Sequence, residues 1–173
     1  MNDIALNQPA WLVQVRAILT WLARQLALVG GVIMLALAFM TVVSVIGRAL
    51  FSTAISGDYE LVEAGLGIAI FLFLPEGHRA CGHVVVDVFT NNLAPKPLKV
   101  LETVGEFCFF VVSCVMAWQM TIAGYDAYDY MEQSMILELP LWIVYAAGVL
   151  ASTLVGLRAL ERLISFFMGA SEE

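Results

Sequence analysis

Long runs of apolar residues broken by charge only at their ends set the pattern of this chain. Residues 26–47 contain no charged side chain, and a helix crossing the bilayer needs roughly 20 mostly apolar residues. This run lies between Arg24 and Arg48 and is longer than a signal-peptide core of about 7–15 residues, so it is read as a retained first span. The second span, 57–79, opens on Asp58, Glu60 and Glu63, stays uncharged from Ala64 to Pro75, and closes on Glu76, His78 and Arg79. Gly57 breaks the loop before it, acids in its first turn complement the helix macrodipole, and Pro75 is expected to bend its far end. The third span, 104–126, belongs to a helix expected to restart near Leu98 and to outrun the bilayer at both ends. Pro140 suits a first helical turn and opens the fourth span, 139–158, with Trp142 and Tyr145 as interfacial anchors.

Ahead of the spans, residues 9–25 place Trp11, Leu12, Val15, Ile18, Leu19 and Leu22 on one arc and Arg16, Thr20 and Arg24 opposite. The pattern predicts an amphipathic interfacial helix, with an extension of the first span as the competing reading. Between the second and third spans, 80–97 is too short to cross and alternates apolar with polar residues, so it is expected to lie along the inner surface.

Composition narrows the class. The chain is 61% hydrophobic and 13% charged, about half the charge of an average soluble domain, which makes an all-α integral membrane protein of a single domain, 1–173. A net charge of −7 argues against a nucleic-acid partner and leaves membrane lipid as the immediate surroundings. Seven of the eight basic residues, all except Arg48, fall before the first span, between the second and third, or after the fourth. Short loops rich in Lys and Arg stay in the cytoplasm, so both termini are expected there, in a multi-pass membrane protein. Arg48 then lies at the depth of Glu60 and Glu63, where an ion pair is expected, because an unpaired charge at that depth is costly. Arg48, Asp58, Glu60 and Glu63 are thus candidates for an interhelix ion pair or for contact with a partner chain, and the competing explanation of the acids is helix-start electrostatics, worth about 0.3–1 kcal/mol each.

The middles of the spans lack the acids, histidines or broken backbone that proton relays and ion paths need. They carry small residues instead: Ser113, Ala117 and Thr121 in the third span, Gly148, Ser152 and Gly156 in the fourth. Such ladders allow close helix packing, within the chain or against a partner helix. His83 and Asp87, four apart, could form a polar staple on the inner surface. With His78 and Cys81 they match no standard zinc spacing, and neither a metal nor a cofactor is expected. Asp126, Asp129, Glu132 and Glu138, with no base among them, either receive a basic patch on a periplasmic partner or reflect the exclusion of Lys and Arg from outer loops.

The order of several short motifs resembles one known family. Gly47-Arg48 followed by Phe51, then Gly57-Asp58-Tyr59-Glu60-Leu61-Val62-Glu63, then His83-Val84-Val85-Val86-Asp87, and finally Leu139-Pro140-Leu141-Trp142 with Tyr145, are similar to the small membrane subunit, of DctQ type, of tripartite ATP-independent periplasmic (TRAP) transporters. The resemblance implies a non-enzymatic subunit in the bacterial inner membrane. It would brace the scaffold of a large multi-span membrane subunit that imports a solute with a sodium gradient. A periplasmic solute-binding protein would deliver that solute, an organic acid such as a C4-dicarboxylate or a sialic acid. Ala147-Gly148 departs from the Pro-x-Gly of many relatives. Two other classes compete: a haem- or quinone-binding anchor of a redox complex, which would need axial histidines on facing helices, and a self-sufficient homodimeric exporter, which would need an acid inside the membrane.

Overall fold

The computed structural model describes residues 10–51, 55–81 and 95–167. They form four helices: α1, Ala10–Phe51; α2, Asp58–Cys81; α3, Pro95–Asp129; and α4, Trp142–Phe167. No strand occurs among the described residues beyond one isolated bridge, Gln133 to Pro140. Each helix has a stretch long and apolar enough to cross a membrane.

Helix boundaries differ from the sequence pattern in three places. Segment 9–25 is not set apart from the first span, because α1 is one helix of 42 residues, about 63 Å long at 1.5 Å per residue. Its expected apolar arc is divided: Leu12 and Leu19 are buried, whereas Trp11, Val15 and Ile18 face outward. α3 starts at Pro95, before Leu98. α4 starts at Trp142, not at Leu139 or Pro140, because the Ser134 N–H donates to the Leu139 carbonyl (3.0 Å) and the Leu141 N–H to the Glu132 carbonyl (3.1 Å). Those bonds fold 139–141 back onto 132–134 and keep them out of the helix. α2 runs on through Pro75, which is fully buried.

α2 and α4 pack against each other at the centre, with α1 beside α2 and α3 beside α4. Small residues make the contacts close. Ala69, Ala151 and Ala159 are fully buried, a Cβ on Gly65 would lie 2.7 Å from the Leu37 side chain, and one on Gly156 would lie 3.0 Å from Ser113 Oγ. This is the packing expected where lipid supplies no hydrophobic drive and helices associate by close backbone approach. The ladder Gly148, Ser152, Gly156 is internal, with Gly148 against Met120 and Phe71 and Ser152 buried. In the other ladder Ser113 is buried and Thr121 exposed. Hydroxyls within the spans satisfy themselves locally: Ser113 donates to the Phe110 carbonyl, Thr121 to Ala117, and Ser152 to Gly148, which removes the cost of an unpaired polar group in lipid.

Candidate functional site: two braced ends

Charged side chains gather at the two ends of the helices, and each end is tied across several of them. At the acidic end the first turn of α2 supplies two carboxylates that point apart. Asp58 reaches α1, where Oδ2 accepts from Ser44 Oγ at 2.6 Å and from Arg48 at 3.2 Å. Its Oδ1 takes the Tyr59 N–H at 2.9 Å. Glu60 reaches the 130–141 connection, accepting from Ser134 Oγ (2.8 Å) and from the backbone N–H groups of Ile136 and Leu137 (2.9 Å each). The partner of Arg48 is therefore Asp58, not Glu60 or Glu63. Two residues along a helix are separated by about 200°, so Asp58 and Glu60 cannot both face α1. Glu63 is exposed and makes no hydrogen bond or ion pair among the described residues.

The connection that Glu60 holds is built to be compact. α3 ends with the Glu132 N–H bonded to the Ala127 carbonyl (2.9 Å) and the Met131 N–H to that of Tyr128 (3.2 Å), with Met131 at φ 50°. This is the paired closure of a Schellman motif with methionine at its left-handed position. Ser134 Oγ donates to Glu60 and accepts the Leu139 N–H at 3.1 Å. Leu137 covers Gly57, which is buried at φ +77°. Charge-assisted bonds to backbone N–H groups are roughly twice as strong as neutral ones. Replacing Glu60 with alanine is thus expected to release the loop and raise its rate of proteolytic nicking by about tenfold or more; a cleavage pattern identical to wild type would contradict this. Asp126, Asp129, Glu132 and Glu138 are all exposed at this end.

At the basic end Glu106 of α3 accepts from Arg162 of α4. The His78 Nε2 of α2 lies 3.3 Å from the other Glu106 oxygen, without the alignment of a hydrogen bond. The His78 ring meets Phe109 edge-on at 4.8 Å. Arg158 of α4 donates to Thr20 Oγ1 of α1 at 2.9 Å, and Glu76 takes the Arg79 guanidinium on both oxygens. All four helices are linked here, a network the sequence reading missed. The available signal was weak: acids before the third span and arginines after the fourth share an end, but only the packing of α3 on α4 brings them together. His83 and Asp87 lie outside the described residues.

A family model described as "Tripartite ATP-independent periplasmic transporters, DctQ component" matches residues 37–169. Neither a curated protein nor a solved structure gives a match. The matched region covers more than half of the chain, beginning within the first membrane-capable segment and taking in the other three, so this multi-pass chain belongs to the DctQ family, a component of TRAP transporters.

Proposed function

We propose that the chain braces the scaffold of the large transport subunit and helps dock the periplasmic solute-binding protein, in sodium-coupled import of an organic acid such as a C4-dicarboxylate or a sialic acid. The observation that carries this reading is the placement of charge. No Asp, Glu, Lys, Arg or His occurs between Arg24 and Arg48, Glu63 and Glu76, Glu106 and Asp126, or Glu138 and Arg158, while Arg48 with Asp58, Arg162 with Glu106 and Arg158 with Thr20 link helix to helix near those limits and Glu60 ties α2 to the 130–141 connection. A polar cargo crossing the bilayer needs polar groups at mid-depth; a brace needs its ends tied.

The distribution of basic residues supports a cytoplasmic basic end and a periplasmic acidic end in the inner membrane. In vesicles under a sodium gradient, the large subunit with its binding protein should take up solute only when this chain is present, and the chain alone should match empty vesicles. Uptake by the isolated chain would overturn the proposal. The four exposed acids suit a basic face on the binding protein. Exchanging Asp126 and Asp129 for lysine should slow its docking by about tenfold at low salt and little at high salt; equal rates at both would remove this role.

A further inference from the structure

The connection between α3 and α4 folds into a short hairpin. Its arms, 132–134 and 139–141, are held by the Ser134 N–H on the Leu139 carbonyl, the Leu141 N–H on the Glu132 carbonyl and the bridge between Gln133 and Pro140. Its tip is Met135, Ile136, Leu137 and Glu138. Leu137 turns inward onto Gly57. Met135 and Ile136 turn outward, Met135 being 98% exposed, while the Ile136 and Leu137 N–H groups are fixed on the Glu60 carboxylate. Two apolar side chains are thus held out on a backbone that is already ordered, which lowers the entropy lost when something binds them.

The charge around the tip says what it fits. The tip is bonded to the first turn of α2, where Asp58 pairs with Arg48. Among the described residues Arg48 is the one base at this end, against seven acids. Glu132 and Glu138, both exposed, stand on either side of Met135 and Ile136 along the chain. An apolar centre inside a charged rim is the anatomy of an interface formed from solution, and the unbranched thioether of methionine adapts to a partner's surface. The field of the acids draws in a basic protein and repels anionic lipid headgroups. Steering speeds only the encounter of partners that diffuse together, so it serves a soluble protein and not a membrane subunit already in place.

We infer that Met135 and Ile136 are the apolar centre of the surface on which the periplasmic solute-binding protein docks, seated in an apolar recess that basic residues of that protein surround. The inference rests on the docking role proposed above and divides it: the acids set how fast the two proteins meet, and the tip sets how long they stay together. The test uses the complex of this chain with the large subunit in nanodiscs, with the binding protein added. Met135→Ser and Ile136→Ser together should raise the dissociation rate by about tenfold or more at low and high salt alike, and leave the association rate within about twofold. Both side chains are exposed, so the thermal midpoint should stay the same. A polarity-sensitive fluorophore on Met135→Cys, in a chain whose native cysteines are changed to serine, gives a second reading. Its emission should shift to the blue when the binding protein is added and not before. An unchanged dissociation rate, or a fluorophore already shielded by lipid or by the large subunit before the binding protein arrives, would overturn the assignment of the tip while leaving docking through the acids standing. Failure of the unsubstituted complex to hold the binding protein would overturn both.

Discussion

Substitution of Gly57 by alanine is expected to destabilise the protein by about 2–5 kcal/mol, combining a left-handed backbone penalty of about 1–2 kcal/mol with the cost of overpacking, about 1–3 kcal/mol. Gly57 sits at φ +77°, and a Cβ built on it would lie 2.4 Å from Leu137 Cγ. Neither residue can yield cheaply. The Leu137 N–H is bonded to Glu60, and the Gly57 carbonyl takes the Leu61 N–H that starts α2. Unfolding of the detergent-solubilised protein, followed by heat or denaturant, measures the loss. Adding Leu137→Ala should recover the steric part and leave the backbone part, so the two changes should couple in a double-mutant cycle. An additive pair would mean that the loop does not lie on Gly57.

Glu106→Ala is expected to cost about 3 kcal/mol, at the lower edge of the range for breaking a buried ion pair by removing one partner. The lower edge applies because Arg162, left without its partner, retains some exposure. The change also takes from His78 the carboxylate it faces. Replacing Arg162 with leucine in the same chain removes the stranded charge and should restore much of the stability, since an apolar substitute for a whole buried pair is often neutral. If the double variant is no more stable than Glu106→Ala alone, the pair is not what links α3 to α4 at the basic end.

The four helices and the confinement of charge to their ends could be read from the chain because both depend on local composition. Partner choice could not. Arg48 was expected opposite Glu60 and Glu63 by depth alone, but the 200° between Asp58 and Glu60 assigns one to α1 and the other to the 130–141 connection. Pro140 has the look of a helix start, yet Leu139 and Leu141 are held by backbone bonds to 132–134 that no local pattern announces. The pairing of Glu106 with Arg162 and the burial of the Gly148 ladder both follow from which helices are neighbours, and the order α1, α2, α4, α3 across the protein is a tertiary fact.

Stillness during transport is the claim on which the account rests. In the complete complex, with Cys81, Cys108 and Cys114 replaced by serine, spin labels at Val29 of α1 and Val112 of α3 report the span of the four helices directly. The distance between them should agree within about 2 Å with and without sodium and solute, whereas a change on the scale of one helical turn, about 5 Å, would make this chain part of the moving machinery and contradict the bracing role.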